Sequence, residues 1–153
     1  MKRFFLLILC ALFSAVACGQ TLRVYLVGDS TCATKDLAKQ NPERGWGQLF
    51  RPLFDASVRV ENHATNGRST KSFRDEGRWA AVYGKLQPGD YVFIQFGHND
   101  AKKSDPKRYT DPETTFKENL RRFVNEARGK GATPILATSI VRRQFNKDGT
   151  LRD

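Results

Sequence analysis

The sequence predicts an α/β fold in which a mainly parallel sheet carries helices on both faces. Three observations predict it. The apolar residues 24–27 run straight into Gly28-Asp29-Ser30-Thr31, the pattern of a buried strand ending in a sharp turn. Residues 91–96 are apolar on both faces apart from Gln95, which places them at the centre of a sheet. Phe116, Leu120, Phe123, Val124 and Ala127 recur at helical spacing between strand-like runs. Strands alternating with helices of this length build βαβ units.

The elements follow in order. Residues 22–27 form the first strand. Residues 35–44 are polar and contain the breaker Asn41-Pro42, which predicts a surface loop. Trp46, Leu49, Phe50 and Leu53 give residues 46–54 a helical repeat. Residues 57–62 form the second strand, with Val58 and Val60 on one face. Residues 69–86 are helical in two pieces, interrupted at Gly77. Pro88-Gly89-Asp90 turns the chain into the third strand, residues 91–96. The polar stretch 100–111 is an exposed loop. Asp111 caps the clearest helix, Pro112 suits its first turn, and Gly129 or Gly131 ends it. Residues 133–141 form a fourth strand, and 146–150 a turn. Sites in such sheets lie beyond the carboxyl ends of the strands. Ser30 follows the first strand, Gly67 the second and Asn99 the third, so all three fall on one sheet edge.

A chain of 153 residues has room for one domain. Residues 1–20 stand apart from it. Lys2 and Arg3 precede the apolar stretch 4–13, and the small residues Ser14-Ala15-Val16-Ala17 follow. This is the layout of a secretory signal, cleaved near residues 17–20, with the domain occupying 21–153. Its apolar core is too short for a comfortable membrane span. Cys18, directly after Ala15-Val16-Ala17, resembles the acylated cysteine of a bacterial lipoprotein box, although Ala15 stands where that pattern prefers Leu. Both plain cleavage and lipidation lead to export: periplasmic, outer-membrane-anchored or extracellular. The only membrane contact expected is through a lipid at Cys18.

Of the three cysteines, only Cys32 belongs to the body of the domain, so no disulfide framework is expected. Cys32 reads as a small buried residue opening the helix after the turn. Lys and Arg exceed Asp and Glu by ten over the whole chain. A basic surface suits a polyanionic ligand. The basic residues are scattered, no nucleic-acid motif accompanies them, and a nucleic-acid partner is not expected. His63, His98 and Cys32 lack metal-ligand spacing, and no glycine-rich phosphate loop occurs, so neither metal nor cofactor is expected.

Four ordered segments carry the chemistry: Gly28-Asp29-Ser30-Thr31, Gly45-Trp46-Gly47, Asn62-His63-Ala64-Thr65-Asn66-Gly67-Arg68-Ser69 and Gln95-Phe96-Gly97-His98-Asn99-Asp100. Singly each is weak; jointly they are specific. The chain resembles the SGNH/GDSL hydrolase superfamily, and most of all its rhamnogalacturonan acetylesterase-like branch, from residue 22 to about 145. The resemblance implies a three-layer α/β/α fold with a flavodoxin-like sheet. It implies Ser30 as nucleophile, and the N–H groups of Ser30 and Gly67 with the Asn99 side-chain amide as the oxyanion hole. Each residue suits its role: Gly67 lets backbone approach a substrate oxygen, and Asn99 offers a donor that does not titrate. Asp29 is expected to fix the turn. Arg68 is a candidate for substrate carboxylates, with Arg78 more suited to surface solvation. The implied partner is an acetylated pectic polysaccharide.

A serine nucleophile needs a base. In the family this is a His in an Asp-x-x-His segment near the C-terminus. Here only His63 and His98 occur, and no Asp-x-x-His follows Val141. The family's last strand and helix are also absent. The chain is therefore expected to be an N-terminal portion of a longer hydrolase, C-terminally truncated and impaired as it stands, with His98 the one conceivable substitute base. Two other readings remain open: an esterase for a different acyl ester, such as acetylated xylan, a lipid or a thioester, and a non-catalytic remnant.

Overall fold

The computed structural model describes residues 21–38 and 40–151. The signal-like segment 1–20, Cys18 included, lies outside the described residues. Four strands, β1 (Leu22–Gly28), β2 (Val58–Asn62), β3 (Tyr91–Gln95) and β4 (Thr133–Leu136), form one sheet in the order β2-β1-β3-β4. Every pairing is parallel; Leu26 faces Asn62 on one side and Phe93 on the other. The fold is therefore the expected three-layer α/β/α, with the order reversing between β1 and β3, where such sheets place their sites.

Side-chain alternation along β1 assigns the two faces. Tyr25 and Val27 point to the larger core, with Val92, Ile94, Phe96, Phe73, Trp79, Val82, Phe123 and Ala127. Val24 and Leu26 point to the smaller one, with Cys32, Val58, Val60, Trp46, Phe50 and Phe93. Helix α1 (Trp46–Phe50) covers the smaller core through Trp46 and Phe50 and runs on into an exposed 3₁₀ turn, Arg51–Leu53. Helices α2 (Thr70–Asp75), α3 (Arg78–Tyr83) and α4 (Thr115–Gly129) cover the larger. Helix α2 opens with a reciprocal capping box between Ser69 and Ser72. Gly77, at φ 71°, separates α2 from α3 as the sequence predicts.

The helix expected over 46–54 ends at Phe50, and the one expected to reach 86 ends at Tyr83; two further boundaries differ from expectation, each with a local cause. The Asp111 carboxylate accepts the N–H groups of both Glu113 and Thr114, so residues 112–114 close a separate turn and α4 begins only at Thr115. Strand β4 ends at Leu136 instead of continuing to 141. Past that point the chain is fastened by side chains: Gln95 Nε2 donates to Thr138 O, Ser139 Oγ to Phe96 O, and Arg142 to His98 O. These bonds replace the ladder and draw the segment over the carboxyl end of β3.

One carboxylate joins the three helices of the larger layer. Glu126 on α4 receives both terminal nitrogens of Arg74 on α2, at 2.9 and 2.8 Å, and the indole N–H of Trp79 on α3. The Arg74 guanidinium also lies 5.0 Å from the Phe123 ring centre. The Arg74 hydrogen bonds hold the Glu126 carboxyl below its usual range, outweighing its partial burial. A carboxylate lowered on folding contributes stability above its unfolded pKa and loses it as pH falls through the folded value. Glu126→Gln should therefore cost about 1–2 kcal/mol at neutral pH. The deficit should shrink on acidification below about pH 4. Urea unfolding of both proteins across that range measures it.

Candidate active site

The serine turn is built from the backbone outward. β1 ends at Gly28, where a Cβ would lie 2.8 Å from Gln95 O; only glycine lets β3 approach this closely. The buried Asp29 carboxylate accepts the N–H of Thr31 at 2.9 Å, and Asp29 O accepts the N–H groups of Cys32 and Ala33. Asp29 thus fixes the turn, as its position before Ser30 suggests. Ser30 is left half-buried at the tip. Its hydroxyl has no hydrogen-bond partner among the described residues. It lines a cleft of about 510 Å³ with Thr31, Lys35, Glu43, Asn66 and Ile140.

The Gly45-Trp46-Gly47 motif is explained by packing against this turn. A Cβ on Gly45 would lie 2.0 Å from Ala33 O, and one on Gly47 would lie 2.6 Å from Cys32 O. The two glycines let the start of α1 press onto residues 31–33, where Trp46 N donates to Thr31 O at 2.9 Å. The indole then reaches across to Gln95 Oε1 at 2.8 Å. Thr31 Oγ1 lies 2.8 Å from Asp29 Oδ1 and 2.9 Å from Gln95 Oε1, and its single hydrogen serves one of them at a time. Gln95 is a contributor to the site that sequence reasoning missed. Its signal was a polar residue at the last position of an otherwise apolar central strand.

The Gly67 turn extends from β2. His63 N and Thr65 N continue the ladder to Leu26 O and Gly28 O, and Gly67 follows at φ 75°, a conformation that favours glycine. Lys35 Nζ donates to Asn66 Oδ1 at 2.9 Å, with its side chain 8% exposed. This brace ties the Ser30 cleft to the Gly67 turn.

Asn99 joins the group from β3. It is buried, and its Nδ2 donates to Arg68 O at 3.0 Å, one peptide beyond Gly67. The amide carries two hydrogens, and this bond uses one of them. Gly97 at φ 143° makes the bend that aims Asn99 inward. Behind it, the buried Asp100 carboxylate accepts the N–H and hydroxyl of Thr70 and the hydroxyl of Thr110. Burial pushes the Asp100 carboxyl up, and these hydrogen bonds oppose the shift.

The structure thus ties Asn99 to the Gly67 turn through Arg68 O and sets Ser30 and Asn66 on one cleft. Neither histidine bonds Ser30. His63 Nε2 faces Glu61 Oε2 at 3.3 Å, and its ring stacks on Tyr25. His98 Nε2 lies 2.6 Å from Ile140 O and therefore carries the donated hydrogen. Arg68 Nε is held by both oxygens of Glu76, and Arg78 Nε by one of them. Those hydrogen bonds, Arg78 first, keep the Glu76 carboxyl below its usual range. Among the described residues no group of three His, Cys, Asp or Glu side chains stands close enough to hold a metal ion.

A model of the GDSL-like lipase/acylhydrolase family matches residues 26–152. The chain belongs to this family. A Bacillus subtilis strain 168 rhamnogalacturonan acetylesterase, RhgT, is 45% identical over 130 residues, which cover 85% of this chain and 54% of RhgT. A probable rhamnogalacturonan acetylesterase of the same strain, YesY, is 41% identical over 130 residues, 85% of this chain and 59% of its own. The crystal structure of Bacillus subtilis YxiM superposes with a TM-score of 0.73 at 30% identity, covering 84% of this chain and 36% of that one. The chain spans little more than half the length of the curated acetylesterase relatives it matches.

Two outcomes test this local architecture. Gly45→Ala should destabilise the protein by about 3 kcal/mol, because the new methyl meets backbone that cannot move aside. Gly77→Ala, with open space but a positive φ, should cost about 1 kcal/mol. Thermal unfolding of the pair distinguishes the two. Burial, followed by the nearby Asp29 charge, pushes the Cys32 thiol up to about 12. Cys32 should therefore resist alkylation at pH 8 in the folded protein and react once unfolded; peptide mass mapping reads the label.

Proposed function

We propose that the chain is the nucleophile-bearing part of an exported carbohydrate esterase that removes acetyl groups from a rhamnogalacturonan-type pectic polysaccharide. The observation that carries the reading is the Asn99–Arg68 bond, which holds an amide donor one peptide from Gly67 on the sheet edge that also carries Ser30. The substrate class comes from the acetylesterase relatives and from a basic chain that suits a polyanion.

In this reading Ser30 Oγ attacks the acetyl carbonyl carbon and its proton passes to a base. The carbonyl oxygen becomes an oxyanion, which the N–H groups of Ser30 and Gly67 and the second hydrogen of the Asn99 amide stabilise. The bond from the acyl carbon to the sugar oxygen breaks, and that oxygen takes the proton. Water then attacks the acyl-serine, releasing acetate and restoring the Ser30 hydroxyl. The base is a histidine other than His63 and His98. One of these is engaged by Glu61, and the other is turned onto Ile140 O.

The 153 residues alone are accordingly proposed to turn over esters poorly. The chain should hydrolyse an aryl acetate and acetylated rhamnogalacturonan far more slowly than RhgT. Fusion to the portion of RhgT beyond the matched region should raise the rate. Within that fusion, Ser30→Ala should remove about four or more orders of magnitude, and Asn99→Ala about two to three. Circular dichroism checks that each fusion folds. A folded fusion whose activity survives Ser30→Ala contradicts the nucleophile assignment. Unfused chain working at the rate of RhgT contradicts the assignment of the base. For export, the protein from its native host should begin near residues 18–21, with added lipid mass if Cys18 is acylated; intact Met1 in a cytoplasmic fraction contradicts it.

A further inference from the structure

A second cleft, of about 370 Å³, opens between the Gly67 turn and the turn carrying Lys107 and Arg108. Its size is that of small-molecule sites. Asn66 borders both this cleft and the one at Ser30, so a chain of sugar units can lie across the two.

The charges here are unevenly used. Glu76 takes Arg68 and Arg78, at 3.0 and 2.6 Å. Asp105 pairs with Arg108, whose Nε lies 2.8 Å from a carboxylate oxygen. Lys107 has no carboxylate within 4.0 Å among the described residues. Four cations against two carboxylates leave a local excess of positive charge, concentrated on Lys107 and the two terminal nitrogens of Arg108. Those nitrogens donate no hydrogen bond among the described residues, and they present the end of the guanidinium fork, which matches the two oxygens of a carboxylate. Arg108 Nη1 lies 3.5 Å from the point where a side chain on Gly67 would begin. The absence of that side chain leaves the space between the Gly67 backbone and the guanidinium open.

We propose that this cleft is a subsite for a carboxylate-bearing sugar, a uronic acid, anchored by Arg108 and Lys107 beside the sugar whose ester is held at Ser30. The ligand class follows from the charge and shape of the cleft; only its place next to the reacting ester rests on the esterase reading. Arg68, named from the sequence as a substrate-carboxylate candidate, lies in the same wall with its Nε committed to Glu76.

The test is an NMR titration of the isotope-labelled chain with trigalacturonate at low and high salt, alongside neutral xylotriose and inorganic phosphate. Trigalacturonate should shift the backbone amides of Gly67 and Arg108, and salt should weaken the binding. Lys107→Gln combined with Arg108→Gln should weaken it roughly tenfold or more. Arg128→Gln combined with Lys130→Gln removes the same charge at the amino-terminal end of the strands and should change it less than about twofold. Three results overturn the proposal: no shift at Gly67, equal weakening by both double variants, or equal binding of xylotriose. Complete displacement by phosphate at equal concentration also overturns it, by reducing the cleft to a general anion site. Ser30→Ala separates the two readings. It should abolish ester turnover in the RhgT fusion and leave trigalacturonate binding intact. Turnover that survives removes the assignment of Ser30 as nucleophile and leaves the cleft proposal standing.

Discussion

The side-chain amide of Gln95 is where the carboxyl ends of the strands are held together. Its oxygen accepts the Trp46 indole N–H and lies within reach of the Thr31 hydroxyl; its nitrogen donates to Thr138 O. Three segments far apart in sequence, the start of α1, the serine turn and the chain after β4, thus meet on one buried polar group. A buried amide is costly unless its partners are in place, and it enforces one arrangement when they are. The glycines at 28, 45 and 47 serve the same end, since each removes a side chain that would hold these segments apart. The serine turn therefore depends on contacts that form only when β1, β3 and α1 have assembled.

A second set of bonds extends this order to the neighbouring loops. Lys35 braces Asn66, Asn99 braces Arg68, and Asp100 gathers Thr70 and Thr110 beneath them. Three of these braces carry a charge, on Lys35 or Asp100, and charge-assisted bonds are stronger than neutral ones. Together they give the Gly67 turn a fixed place between two clefts. In the proposed reaction this geometry places the acyl group in one cleft and a neighbouring sugar in the other. Preorganised donors of this kind act because they need no reorientation as charge develops.

The strands, their order along the chain and the two-piece helix broken at Gly77 were legible because each rests on local patterning. So was the gathering of Ser30, Gly67 and Asn99 at one sheet edge, since parallel connections leave little choice. The roles of Gln95, Lys35 and Asp100 were not legible. Each pairs with residues some 30 to 64 positions away, and no local spacing encodes such a pairing. The boundaries of α4 and β4 escape local patterning for a related reason. Asp111, a helix cap by its sequence position, closes its own turn, while Ser139 and Arg142 take the chain after Leu136 out of the ladder. In both places a side-chain-to-backbone bond competes with regular structure and wins.

The central claim is that Ser30, Gly67 and Asn99 surround the position of one oxyanion. A crystal structure of the RhgT fusion after reaction with an activated alkyl phosphonate tests it most directly, because the tetrahedral phosphorus stands in for the acyl carbon at attack. The account predicts phosphorus bonded to Ser30 Oγ. It further predicts one phosphoryl oxygen within about 3.2 Å of Ser30 N, Gly67 N and Asn99 Nδ2. An adduct on another residue, or a phosphoryl oxygen turned away from Gly67 and Asn99, would contradict it.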